Sequence, residues 1–107
     1  MPIDITQENI EKEIKQSTKP VIVDVHATWC GPCQQMRPVF DELEQELSEL
    51  YTFAALNVDE ARDIAVGYGV STVPTFIFIK DGEVKGKATG IHTKEELVEK
   101  IETAFGS

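Results

Sequence analysis

The chain has two cysteines, and they stand two residues apart in Trp29-Cys30-Gly31-Pro32-Cys33. A pair at this spacing either closes a small disulfide ring or stays reduced as a dithiol. Just upstream, Val21-Ile22-Val23-Asp24-Val25 reads as a buried strand. Just downstream, Met36, Val39, Phe40, Leu43, Leu47 and Leu50 recur at helical spacing. A Cys-x-x-Cys pair at a strand-to-helix junction is the pattern of a redox dithiol. The physical reason lies in the helix start, whose unpaired N–H groups and dipole favour negative charge. A cysteine placed there has its thiolate, the reactive form, stabilised.

Two other chemistries compete for the pair. A structural zinc site needs four ligands. The other soft candidates are His26 and His92, which match no familiar ligand spacing, so no metal site is expected. An inert disulfide is the second alternative, but a ring spanning two intervening residues removes little chain entropy. Reversible thiol–disulfide exchange leads. Cys30, nearest the helix start, is expected to attack. Cys33, about one turn inside and expected to be the more buried, resolves the mixed disulfide. Asp24 interrupts an otherwise apolar strand, and a buried carboxylate without a partner has a raised pKa.

The elements that must hold these residues follow from the hydrophobic pattern. Ile3-Asp4-Ile5 reads as a short edge strand, and Thr6 as the cap of a helix carrying Ile10 and Ile14. A strand over 21–27 leads into a helix over 31–49, inside which Pro38 should produce a kink. A strand over 52–58 precedes a short helix around Ala61, Ile64 and Ala65. Thr75 to Lys80, the turn Asp81-Gly82 and the strand Glu83 to Ala88 form a hairpin. Thr93-Lys94-Glu95-Glu96 is a capping box opening a last helix, with Leu97, Val98, Ile101 and Phe105 as its buried stripe. A strand–helix–strand unit implies parallel pairing, and the hairpin adds antiparallel strands. The expected result is an α/β protein, a mixed sheet covered by helices on both faces. Sites in such sheets lie beyond the carboxyl ends of the parallel strands, where residues 28–33 fall.

The bulk properties narrow the partners. A chain of 107 residues makes one domain, 1–107, with one modest core. The net charge of −9, with scattered basic residues, argues against nucleic acid. No apolar run approaches a membrane span. The N-terminal residues lack the basic and apolar segments of a secretory signal, and a dithiol suits a reducing compartment, so a cytoplasmic location is expected. The acids gathered between Asp41 and Glu49 read as a solvated outer helix face, with Leu43, Leu47 and Leu50 on the inner one. The negative charge can still steer the protein towards basic partners.

The chain resembles the thioredoxin family. The matching stretches are Val23-Asp24-Val25, Ala27-Thr28-Trp29-Cys30-Gly31-Pro32-Cys33, Pro38, Leu56-Asn57-Val58-Asp59, Tyr68-Gly69-Val70, Val73-Pro74-Thr75, Lys80-Asp81-Gly82-Glu83-Val84 and Gly90. They occur in the family's order and cover nearly the whole chain. The resemblance implies a thioredoxin fold, a central mixed five-stranded sheet flanked by four α-helices. It also implies a protein-disulfide reductase that works through Cys30 and Cys33. Such a protein needs no cofactor beyond the redox-active pair and is a monomer. It is recycled by a thioredoxin reductase-like electron donor. Gly31 and Pro32 would shape the ring and tune its potential. Trp29 would be a partly exposed indole shielding the dithiol, and Asp24 a proton acceptor and donor for Cys33. Pro74 would be cis and bring the Val73 backbone beside Cys30, where an extended substrate could pair with it. Gly90, next to Ile91, would form a flat wall of the docking groove. Three positions depart from the usual pattern. Ala55 and Gln34 stand where lysines are common and so remove positive charge, although Arg37 remains one helical turn from Cys33, and His26 stands where an aromatic residue is usual. His26 is either a packed substitute for that ring or a second proton-handling group on the Asp24 face, partly replacing the missing charge. A competing reading is a thioredoxin-fold binding or chaperone-like subunit whose dithiol is secondary.

Overall fold

The computed structural model describes residues 2–106. In chain order they form β1 (Ile3–Asp4), a π-helical turn (Glu11–Lys15), β2 (Val21–His26), α1 (Gly31–Leu47), β3 (Thr52–Asn57), α2 (Arg62–Gly67), β4 (Thr75–Lys80), β5 (Glu83–Thr89) and α3 (Lys94–Phe105). The five strands make one sheet in the order β1-β3-β2-β4-β5. β3 pairs in parallel with β1 and β2, whereas β4 is antiparallel to β2 and β5. This is the mixed sheet with helices on both faces that the pattern implies.

Alternation along the strands divides the core in two. Val21, Val23, Val25, Ala54, Leu56, Ile77 and Ile79 pack on one face with Ile14, Ile64 and Ala65. Ile22, Phe53, Phe76 and Phe78 pack on the other with Met36, Phe40, Leu43, Leu97 and Ile101. Both faces of β2 and β4 are covered, which is why these strands read as nearly continuous apolar runs. Each fully buried large side chain contributes roughly 1.5–3 kcal/mol. Asp24 sits in this setting on the α1 side of β2, in register with Ala55 of β3 and Phe76 of β4.

Three expectations need correction. The first helix is a π turn, because Gln16 N–H donates to the Glu11 carbonyl at 2.9 Å, five residues back. Thr6 still caps its approach, accepting from the Glu8 and Asn9 N–H groups at 3.2 and 3.3 Å. Leu50 is 60% exposed. The helix ends at Leu47 and not at 49, so Leu50 loses the helical phase that put it on the inner face. Finally, β2 and β3 each stop one residue early, at His26 and Asn57. α1 runs through Pro38 without a break.

The two helices on the α1 face are anchored by local chemistry. The capping box forms as read: Glu96 N–H donates to Thr93 Oγ1 at 3.1 Å, and Thr93 N–H to Glu96 Oε1 at 2.9 Å. Lys94 then bridges α3 to α1, donating to Glu42 at 2.8 Å and also to Glu46.

Candidate active site

Cys30 is the N-cap of α1, in extended conformation, with Gly31 and Pro32 opening the helix. Proline is tolerated there because its missing N–H has no helical partner at that position. Cys30 and Cys33 are joined as a disulfide, their Cα atoms 5.3 Å apart. The Cys33 N–H donates to Cys30 Sγ at 3.1 Å. A helix-start donor therefore points at the first sulfur, which favours negative charge on it. Both cysteines are equally buried at 5% exposure, so Cys33 is not the more buried of the two as expected. The cap geometry separates them instead, because the chain turns into the helix at Cys30 and leaves its sulfur in front of the first free N–H groups.

Next to the dithiol in sequence and space, Trp29 and Val73 border a groove of about 830 Å³. Trp29, Asp59, Arg62, Val66, Val70 and Val73 are among its walls. Trp29 is 71% exposed, and its Nε1–H donates to Asp59 Oδ1 at 3.2 Å. The Asp59 N–H in turn donates to Asn57 Oδ1 at 2.9 Å, fixing the carboxylate at the end of β3. The Val73–Pro74 bond is cis, and the Val73 carbonyl oxygen lies 3.8 Å from Cys30 Sγ. The Pro74 carbonyl accepts from Gly90 N–H at 2.9 Å, which sets Gly90 beside the same loop. Gly90 has φ +94°, and a Cβ there would meet nothing within 4 Å, so this stretch of surface is open. Ile91 next to it is 58% exposed.

The other side of the dithiol faces the sheet. Asp24 is 1% exposed, and its Oδ1 has no hydrogen-bond partner. Burial pushes its pKa up from 3.8 to about 7; the Arg37 guanidinium opposes this and Asp41 reinforces it. Half-buried His26 is pushed down, first by burial and then by Arg37, with Asp4 and Glu60 pulling the other way. Burial and Arg37 thus work against a positive charge on the His26 ring. The cation that faces Asp24 is Arg37, reaching across from α1. His26, Cys33, Gln34 and Arg37 border a shallow cavity of about 350 Å³, together with Ala27 and Thr28. Gln34 closes part of it by donating its Nε2–H to the Thr28 carbonyl at 3.2 Å. Among the described residues, no group of three His, Cys, Asp or Glu side chains is placed to hold a metal ion.

Two features of the site escaped the sequence reading, Val66 and Asp59 as groove walls, whereas Arg37 was expected as the remaining cation near Cys33 and its charge acts on Asp24. Asp59 lay within a matching stretch, and exposed Val66 on a short helix was the available signal for the apolar wall. That the Arg37 charge acts on Asp24 depends on how α1 packs on the sheet, which the spacing of α1 does not show.

Known proteins resemble the chain in sequence. The thioredoxin family model matches residues 1–103. A thioredoxin of Chlorobaculum thiosulfatiphilum is 39% identical over 101 residues, covering 94% of each chain. A thioredoxin of Rickettsia bellii is 35% identical over 101 residues, covering 94% of this chain and 96% of the relative. The chloroplastic thioredoxin M-type of Spinacia oleracea is 39% identical over 99 residues, 92% of this chain and 55% of that longer one. With a Cys-x-x-Cys disulfide capping a helix beside a cis-proline loop, and with relatives matched along nearly its whole length, the chain belongs to the thioredoxin family and is a protein thiol–disulfide oxidoreductase.

Proposed function

We propose that this chain reduces disulfides of other proteins in the cytoplasm, as a monomeric domain over residues 1–107, and is recycled by a thioredoxin reductase-like electron donor. The observation that carries the reading is the Cys33 N–H aimed at Cys30 Sγ at 3.1 Å. In the reduced protein, the Cys30 thiolate attacks one sulfur of the target disulfide. A Cys30–target bond forms, the target S–S bond breaks, and the second target sulfur leaves as a thiolate that takes up a proton. Cys33 then gives its proton to the Asp24 carboxylate, directly or through water. Its sulfur attacks Cys30 Sγ, the Cys30–Cys33 bond forms, the Cys30–target bond breaks, and the first target sulfur leaves as a thiolate that takes up a proton. Two electrons pass from the dithiol to the target, with no cofactor. A carboxyl group with a pKa near neutrality suits the proton step, because it accepts and returns a proton at little cost. The target backbone lies extended against Val73, as an added strand would, with Trp29, Pro74, Gly90 and Ile91 around it. Gly31 and Pro32 shape the ring.

Paired cysteine variants test the reading. Cys33→Ser should accumulate mixed disulfides with insulin or cell proteins, and Cys30→Ser should form none and lose insulin reduction. Iodoacetamide at pH 7 should label Cys30 of the reduced protein before Cys33. Faster labelling of Cys33 reverses the two roles. Partners retained non-covalently by both variants would mark a binding subunit instead.

A further inference from the structure

β5 fastens residues 68–75 at three points. Gly90, just past its end, donates to the Pro74 carbonyl at 2.9 Å. Thr89 Oγ1 lies 3.2 Å from Thr75 Oγ1, which itself donates to the Thr72 carbonyl at 2.8 Å. Farthest from the dithiol, Lys87 Nζ donates to the Tyr68 carbonyl at 2.5 Å. Tyr68 is the C-cap of α2, so the ammonium sits where the helix leaves carbonyls unpaired and where its dipole favours a cation. Between the Lys87 tie and the Thr89 tie run Gly69, Val70, Ser71 and Thr72, all of them walls of the large groove, and the chain then continues to Val73.

A second feature of the sequence fits the same contact. Gly69 has φ +75°, and a Cβ there would come within 3.0 Å of Lys87 Nζ. The ammonium occupies the space a side chain at position 69 would fill. The positive φ of the turn out of α2 calls for glycine here, and the absence of a side chain leaves Lys87 Nζ its room. Lys87 itself lines neither the groove nor the dithiol.

We propose that Lys87 is a positioning residue for target docking. Its ammonium clamps the end of α2 and so fixes the Gly69–Val73 wall against which a target polypeptide rests, with no part in the sulfur chemistry. This inference rests on the proposed docking of the target against Val73 and Trp29, and extends that surface along the large groove those two residues border. A small disulfide needs only the sulfurs, whereas a protein target needs the wall, so the two substrates separate positioning from chemistry.

The experiment compares Lys87→Met, which keeps the aliphatic stem and removes the donor, with Lys87→Arg, which restores a donor, and with Val66→Asp, which alters the groove wall directly. Each variant is assayed on insulin and on dithionitrobenzoate, and amide hydrogen exchange is followed over residues 69–73. Lys87→Met should raise KM for insulin about five-fold, the scale of one ordinary solvent-exposed hydrogen bond, with kcat and the dithionitrobenzoate rate unchanged. Exchange over 69–73 should quicken by at least a similar factor, and Lys87→Arg should recover most of both effects. Val66→Asp should also raise KM for insulin. If Val66→Asp does so and Lys87→Met changes neither KM nor exchange, the clamp is overturned and the docking groove stands. If neither variant moves KM, the groove reading falls as well. Equal losses of Lys87→Met on both substrates overturn the positioning role in favour of general destabilisation.

Discussion

Asp24 carries the most consequential single charge in the molecule. Its pKa is pushed up from 3.8 to about 7, chiefly by burial. Between those two values the folded protein holds a proton that the unfolded chain releases. Stability therefore falls as pH rises from about 4 to about 7 and levels off above that. Asp24→Asn removes this penalty. It should be more stable than the parent at pH 8 by up to ~4 kcal/mol, three pKa units' worth, and the difference should vanish near pH 3. Urea unfolding at both pH values measures this, and equal stability at pH 8 would sink the idea. The same variant should slow release of the mixed disulfide. Arg37 restrains the Asp24 shift and also depresses His26. Arg37→Gln should thus move the pH–rate profile for insulin reduction to higher pH, while His26→Phe moves it less. A larger displacement from His26→Phe would return the proton-handling role to the imidazole. Asp24 was legible in the sequence because a lone charge in an apolar strand has to be buried. Arg37 was legible as a cation one helical turn from Cys33, but not as the charge acting on Asp24, because it lies on a different element and only the packing of α1 over β2 brings the two together.

At the level of elements, legibility followed the strength of local signals. The Thr93-x-x-Glu96 box announced the start of α3, since each side chain satisfies the other's free N–H. Thr93→Ala should lower stability by about 1 kcal/mol, a drop in Tm of about 4–8 °C, with the insulin reduction rate at 25 °C unchanged. Differential scanning calorimetry reads the first and the turbidity assay the second. The Asp81-Gly82 turn was equally plain, and both residues adopt positive φ there. The first helix was not resolved in detail. Ile10 and Ile14 reach the core from an α or a π winding alike, so spacing alone does not choose between them. Leu50 misled for a related reason: helical phase was extended past a helix end that carries no glycine or proline.

Over the whole molecule, the strand order is what the sequence tells least about. Pattern yields five strands and their types, but it does not say that β2 lies between β3 and β4. The resemblance to thioredoxins implied a mixed five-stranded sheet, and the structure supplies the order. The net charge of −9, by contrast, is read directly and has a direct consequence. Reduction of a basic protein target should slow as ionic strength rises from about 0.02 to 0.5 M, and reduction of an acidic one should quicken, because screening shortens the reach of the field. Stopped-flow tryptophan fluorescence with one target of each sign gives both slopes. Matching slopes would show that charge plays no part in encounter.

The rims of the sheet bear on a hazard specific to a protein that handles extended polypeptides. A bare strand edge accepts foreign chains as additional strands, and repeated addition builds aggregates. Here β1 is only two residues long. On the opposite rim, β5 carries Lys85 and Lys87, and its pairing with β4 shifts register between Phe78 and Ile79. Strand addition is thus discouraged at both flanks, and visiting chains are left the dithiol end, where contact is brief and ends in release.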